Sequence, residues 1–158
     1  MSTVLTAIDL RAGSVADLGI VDAIMHAAFD PRYGEAWTRS QCLGILAMPG
    51  VGLTLAAVDG RSAGFALART IVDESELLLL ATVPALRRRG VARALLRMVM
   101  ADAADAGATR IHLEMRQGND AIKLYRAAGF AKVGERRNYY RGSAGEVFDA
   151  LTYSRKLV

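Results

Sequence analysis

The sequence predicts one domain, residues 1–158, of the α/β (α+β) class, with a mixed and mostly antiparallel sheet of about seven strands flanked by about four helices. Three observations support this fold class. The 158 residues are 53% hydrophobic with only three prolines, which is enough for one core and short for two domains. Segments with the apolar period of a strand alternate with segments that have the period of a helix. Turn-forming residues separate these segments, without a repeat or a linker.

The N-terminal segments predict one strand followed by two helices. Residues 4–11 alternate loosely in polarity, as a strand does, and Ser14 can cap a helix over residues 15–29. A proline and a glycine then break the chain. Thr38 can cap a second helix, which we expect to end at Leu46.

The middle of the chain predicts three antiparallel strands. Residues 53–58 and 63–71 are strand-like and are joined across Asp59-Gly60, a strong hairpin-turn dipeptide. A turn at residues 73–75 leads to residues 76–83, whose unbroken apolar run is typical of a central strand covered on both faces.

The C-terminal half predicts a helix, a strand, a helix and two closing strands. Gly107 and Gly129 lie where left-handed residues commonly end helices. The five predicted segments are residues 88–106, 109–115, 121–128, 130–137 and 147–157.

The composition argues against several classes of protein. One cysteine cannot form an internal disulfide, and two histidines make no metal-binding cluster, so no metal is expected. The net charge of +4 comes from scattered arginines with only 6% aromatic residues, so direct nucleic-acid binding is not expected. No apolar run approaches the ~20 residues of a membrane span, and the first residues do not resemble a signal peptide, so we expect a cytoplasmic protein.

A basic segment lies between the predicted central strand and the long helix after it. The start of a helix presents unpaired backbone N–H groups and the positive end of the helix dipole, which together attract phosphate. A glycine there lets an anion approach the main chain closely. The segment fits neither a P-loop nor a dinucleotide-binding pattern. It consists of Arg87, Arg88, Arg89, Gly90, Val91, Ala92 and Arg93.

This segment, following Thr82-Val83-Pro84, resembles motif A of the GNAT superfamily of N-acetyltransferases, Q/R-x-x-G-x-G/A. The order of the predicted elements is also similar to the GNAT plan. The resemblance implies acetyl-CoA as co-substrate, with its pyrophosphate on the basic segment. It also implies a sheet that splays at the fourth strand, where the pantetheine arm would bond the main chain of Leu80, Ala81, Thr82 and Val83.

A second set of residues resembles the bacterial RimI-type enzymes, which acetylate the N-terminal alanine of a small-subunit ribosomal protein. The set is Glu114-Met115-Arg116, Asn119, Leu124-Tyr125 and Gly129-Phe130. The resemblance implies that Glu114 is the general base, that Tyr125 is the general acid and that Asn119 contacts CoA. The chain has one residue fewer than RimI-type proteins between Asn119 and Tyr125. Taken alone, Glu114 also fits an exposed strand carboxylate, and Tyr125 a core aromatic.

Two further segments bear on the acceptor. Arg136-Arg137-Asn138-Tyr139-Tyr140 is similar to the R-R-N-Y-Y segment of RimI-type proteins, which implies that Tyr139 and Tyr140 border the peptide groove. Trp37 lies in a region that resembles their A-F-P-W-S segment, but residues 30–36 form an insertion.

The hypothesis is therefore transfer of acetyl from acetyl-CoA to a protein or peptide N-terminus, with a ribosomal protein as the candidate partner. The alternatives are a GNAT enzyme acting on a small amine, amino acid or antibiotic, and a CoA-binding sensor or adaptor.

Overall fold

The computed structural model describes residues 7–157, which form a seven-stranded sheet with two helices on each face. The strands and helices follow in the predicted order. The strands are β1 (Ile8–Ala12), β2 (Val51–Val58), β3 (Arg61–Ile71), β4 (Glu74–Thr82), β5 (Arg110–Arg116), β6 (Ala131–Arg141) and β7 (Val147–Lys156), and the helices are α1 (Leu18–Ala28), α2 (Arg39–Leu46), α3 (Val91–Asp105) and α4 (Ile122–Ala127).

The strand order across the sheet is β1-β2-β3-β4-β5-β7-β6. Neighbouring strands are antiparallel except β4 and β5, which are parallel and are connected through α3. The prediction of a mixed, mostly antiparallel sheet is confirmed.

Each face of the sheet carries its own hydrophobic core. On one face, α1 and α2 cover a core around Phe65, which is fully buried. On the other face, α3 and α4 cover a core around Leu95, also fully buried. The sheet is therefore a middle layer, and a residue's place along a strand decides which core it enters.

Several boundaries differ from the predicted ones. Ser14 caps a 3₁₀ turn over Val15–Asp17, and the α-helix begins only at Leu18. The start of the predicted first strand, before residue 7, lies outside the described residues. The turn between β3 and β4 is Val72–Asp73 rather than residues 73–75, with Val72 in the left-handed region at φ 56°. A β-branched residue rarely adopts that conformation, so the sequence does not indicate that the turn begins at Val72.

The strand β4 is irregular where the site forms. Leu67 of β3 pairs with Leu79, but the next residue, Ala68, pairs with Leu77, so Leu78 bulges out of β4. The pairing of β4 with β5 covers only residues Glu74 to Leu77 of β4, although both strands continue beyond it. Beyond Leu77 the two strands diverge, which is the predicted splay at the fourth strand.

Candidate active site

A cleft of about 150 Å³ lies where β4 and β5 separate. It is bounded by the two strands, by the loop before α2, by α4 and by the β6 segment. Seven of the residues predicted from the sequence line it: Trp37, Leu80, Glu114, Asn119, Tyr125, Tyr139 and Tyr140. The fold therefore brings together the proposed acid, the proposed base and the three proposed acceptor residues.

Tyr125 is the most buried polar residue of the cleft. It lies on α4, is 6% exposed, and packs its ring edge-on against Phe130 at a centroid distance of 5.8 Å. Burial, together with the negative charge of Glu35 and the neighbouring Tyr140, raises the pKa of the Tyr125 hydroxyl above its usual range. The hydroxyl therefore stays protonated at neutral pH and can donate a proton or a hydrogen bond.

Glu114 lies on the face of β5 opposite to its buried neighbours Leu113 and Met115. Its side chain is 18% exposed, and its Oε1 is 3.0 Å from Nη2 of Arg136 on β6. Arg136 is 60% exposed, so solvent weakens this ion pair, and the arginine can move away at small cost. Glu114 is thus a carboxylate held in the cleft wall by a replaceable partner.

Glu35 is a second carboxylate in the cleft, and sequence reasoning missed it. Its Oε1 accepts a hydrogen bond from Nε of Arg116 at 3.1 Å, and its Oε2 accepts one from Nδ2 of Asn119 at 2.9 Å. Both oxygens are thus engaged by hydrogen bonds within the protein, to the nearly buried Arg116 and the half-buried Asn119. Its only sequence signal is its place in the inserted residues 30–36.

Asn119 therefore has partners within the protein. Its Nδ2 donates to Glu35, and its Oδ1 accepts from the backbone N–H of Ala121 at 2.9 Å. The amide nevertheless lines the cleft, and its contact with CoA stays a prediction.

The proposed acceptor residues form an aromatic wall. Tyr139 and Tyr140 pack edge-on, with ring centroids 5.1 Å apart, after an irregular stretch of β6 around Asn138. Tyr139 is 50% exposed, whereas Tyr140 is half-buried. Burial, with the charges of Glu35 and Glu114, raises the pKa of Tyr140 as well. Both rings line the cleft, and their contact with an acceptor stays a prediction.

The predicted phosphate site lies at the N-terminus of α3. Gly90 is the N-cap residue, with φ 84°, a conformation that glycine adopts without strain. Among residues 7–157, no side chain accepts a hydrogen bond from the first turn of this helix. The N–H groups of Val91, Ala92 and Arg93 have no hydrogen-bond acceptor within this described part of the chain, and such groups attract anions. Binding of a phosphate there stays a prediction.

The basic residues before α3 differ in position. Arg88, like Gly90, is left-handed, with φ 63°, and the predicted helix start at residue 88 is wrong by three residues. Arg87 donates through Nη2 to the carbonyl oxygen of Ala28 at 3.0 Å, at the end of α1. Arg88, Arg89 and Arg93 are exposed. The contact of these arginines with CoA stays a prediction.

The unpaired edge of β4 adds backbone donors. The N–H of Val83 donates to the carbonyl oxygen of Ala63 on the β3 side at 2.8 Å. Because N–H groups alternate between the two edges of a strand, Leu80 and Thr82 direct theirs to the side where β5 has diverged. An extended polar ligand can therefore pair with alternate residues of β4, and Ala81 and Val83 are turned away from it.

Taken together, the cleft supplies what acyl transfer to an amine requires. Glu114 can accept a proton, Tyr125 can donate one, and the edge of β4 offers N–H groups to a polarised carbonyl oxygen. Within residues 7–157, no three His, Cys, Asp or Glu side chains are grouped to hold a metal ion. In the same described part of the chain, no helix is both long and apolar enough to cross a membrane.

Proteins with similar sequences include N-acetyltransferases. The chain is 39% identical over 133 residues to the N-alpha-acetyltransferase RimI of Mycobacterium tuberculosis, a match that covers 81% of this chain and 79% of that protein. It is 38% identical over 88 residues to the [ribosomal protein bS18]-alanine N-acetyltransferase of Salmonella typhimurium, and there it spans only 60% of the relative's length.

A solved structure agrees in fold over nearly the whole chain. The ribosomal-protein-S18-alanine N-acetyltransferase from Escherichia coli superposes with a TM-score of 0.84 at 26% identity, covering 96% of this chain and 94% of that one. The family model of the acetyltransferase (GNAT) family matches residues 21–130. Because this match covers well over half of the 158 residues, the chain belongs to the acetyltransferase (GNAT) family.

Proposed function

We propose that this protein transfers the acetyl group of acetyl-CoA directly to the α-amine of a protein N-terminus. The observation that carries the proposal is the cleft itself, in which a carboxylate, a protonated tyrosine and the open edge of β4 meet. The relatives that act on protein N-termini support the same acceptor class. An alanine at the start of a ribosomal protein is the candidate acceptor.

The donor half of the proposal rests on backbone groups. The first turn of α3 would bind the pyrophosphate of acetyl-CoA, with Gly90 admitting it to the main chain. The N–H groups of Leu80 and Thr82 would bond the pantetheine arm and the thioester oxygen. These donors are fixed before the substrate arrives, so little reorganisation is needed when charge develops on that oxygen.

The acceptor half rests on two side chains. Glu114 takes the proton from the attacking amine, directly or through water, and Tyr125 gives a proton to the departing CoA thiolate. The new bond joins the amine nitrogen to the acetyl carbon, and the bond from that carbon to sulfur breaks. An α-amine has a pKa near ~8, against ~10.4 for lysine, so a modest carboxylate base suffices for it.

The test is CoA release with acetyl-CoA and a panel of acceptors. We expect turnover with peptides that begin with a free alanine, and none with the same peptides blocked at the N-terminus but carrying a free lysine. Mass spectrometry of the product places the acetyl group. Activity confined to small amines, amino acids or antibiotics would replace this proposal with the small-molecule alternative. Tight acetyl-CoA binding with no turnover on any acceptor would favour a sensor.

A further inference from the structure

The inserted loop of residues 30–36 is joined to the opposite wall of the cleft by Glu35. Its two carboxylate oxygens bond Arg116, at the end of β5, and Asn119, just before α4. The Glu35 and Arg116 side chains are only 12% and 11% exposed. Glu35 lies 81 residues from Arg116 in the chain, so this contact is purely tertiary.

The partners of Glu35 are themselves held in place. The Arg116 guanidinium carbon lies 3.7 Å from the ring centroid of Tyr33, which belongs to the same loop. Arg116 also donates to the carbonyl oxygen of Gln117 at 3.0 Å. Asn119 accepts from the N–H of Ala121, the N-cap residue of α4. The loop, the end of β5 and the start of α4 thus form one bonded unit.

The same loop also contacts the β6–β7 hairpin. The carbonyl oxygen of Pro31 accepts from the N–H of Ser143 at 3.1 Å, and Tyr33 packs edge-on against Phe148 of β7 at 5.4 Å. Gly142 lies so close to the carbonyl of Arg32 that no side chain fits between them. The loop is therefore a built wall of the cleft, attached on two sides.

The residue next but one to Glu35 is Trp37, which lines the cleft and is half-buried. Tyr125 lines it from α4, only a few residues beyond Asn119. Loss of the Glu35 carboxylate would leave Arg116 as a nearly buried, unpaired charge, which is strongly unfavourable. The loop and Trp37 would then shift relative to α4.

We propose that Glu35 is a positioning residue for the acceptor. It bonds the inserted loop to the start of α4 and so fixes the position of Trp37 relative to Tyr125 in the cleft. The acceptor part of this inference rests on the proposed function. The coupling of Glu35 to the position of Trp37 does not.

Trp37 is the only tryptophan among the 158 residues, so tryptophan fluorescence reports on this one position, directly after the loop. In Glu35→Ala without any ligand, we expect red-shifted emission and stronger quenching by acrylamide than in the unchanged protein. The matched control is Glu135→Ala, which removes a glutamate from a solvent-exposed ion pair with Lys132. That variant should leave both readings unchanged. Unaltered emission and quenching in Glu35→Ala would overturn the inference.

Kinetics test the acceptor part. In Glu35→Ala we expect the KM for an alanine-starting peptide to rise at least ~10-fold, which corresponds to ~1.4 kcal/mol, and the KM for acetyl-CoA to change much less. An equal rise in both constants would indicate a general structural role and would refute a positioning role toward the acceptor. If the unchanged protein acetylates no peptide, the proposed function fails, while the fluorescence result still decides the coupling.

A variant that keeps the shape provides the second line of evidence. Glu35→Gln retains one oxygen acceptor but removes the charge that pairs with Arg116. We expect a smaller change of Trp37 emission than in Glu35→Ala, in the same direction. If Glu35→Ala does not fold, as judged by circular dichroism, Glu35→Gln carries the test, and an emission spectrum identical to that of the unchanged protein would overturn the inference.

Discussion

Replacing Tyr125 with phenylalanine removes one hydroxyl from the cleft and leaves the ring in place. Tyr125 is 6% exposed and its ring packs against Phe130, and both features survive the change. We therefore expect the free energy of unfolding to change by less than ~1 kcal/mol. The loss of a general acid costs ~10²-fold to ~10⁴-fold in rate, and 100-fold corresponds to ~2.7 kcal/mol of transition-state stabilisation. We expect kcat to fall by at least ~100-fold, which is the lower limit of that range.

The assay is CoA release under saturating acetyl-CoA and peptide, with acetyl-CoA binding measured separately by calorimetry. Binding should be unchanged, because the role proposed for the hydroxyl is to protonate the departing thiolate. The matched control is Tyr153→Phe, which removes a hydroxyl from a tyrosine that is 2% exposed in the same core but does not line the cleft. Its kcat should stay as it is. If kcat of Tyr125→Phe also stayed as it is, Tyr125 would have no part in proton transfer.

Three further predictions concern the donor site, the base and pH. Gly90→Val should weaken acetyl-CoA binding in a calorimetric titration, because valine is strained at φ 84° and its side chain blocks access to the main chain. The control is Gly107→Val, which places similar strain, at φ 93°, at the other end of α3 and should leave binding unchanged. Equal acetyl-CoA binding by both variants would refute the proposal that the pyrophosphate binds at the start of α3. Glu114→Gln should lower kcat by at least ~100-fold at neutral pH, and an unchanged kcat in the CoA-release assay would refute its role as base. The pKa values of Tyr125 and Tyr140 are raised in the folded protein, so the unfolded chain loses these protons first, near pH ~10. The free energy of unfolding in urea should therefore fall as the pH rises above ~10, and the fall should be smaller in Tyr125→Phe; an equal fall would show that Tyr125 does not contribute.

Much of the fold could be predicted because its signals are local. The Asp59-Gly60 turn joins β2 to β3 as expected, with positive φ at both residues, because these residue types adopt that conformation readily. Thr38 caps α2 with Gln41 in a reciprocal capping box. The turn between β3 and β4 was predicted too late, at residues 73–75, because the left-handed conformation of Val72 follows from the pairing of the two strands and not from its residue type.

The candidate site was predictable in its composition more than in its contacts. Tyr125 and Glu114 were expected from a motif, and the structure places both in one cleft. No sequence motif indicates the ion pair of Glu114 with Arg136 or the bonds of Glu35, because each joins residues that are far apart in the chain. The bulge at Leu78, which separates β4 from β5, likewise depends on the register between strands.

By itself, the sequence determined the order of the elements and the position of the predicted anion site, because periodicity, caps and a glycine at a helix start act over a few residues. Only the tertiary structure decided how the acceptor side is built. The inserted loop becomes a wall of the cleft through the bonds of Glu35 to Arg116 and Asn119, more than 80 residues away. Such contacts form only after the sheet has brought β5 and α4 beside the loop, so no local pattern in the chain can indicate them.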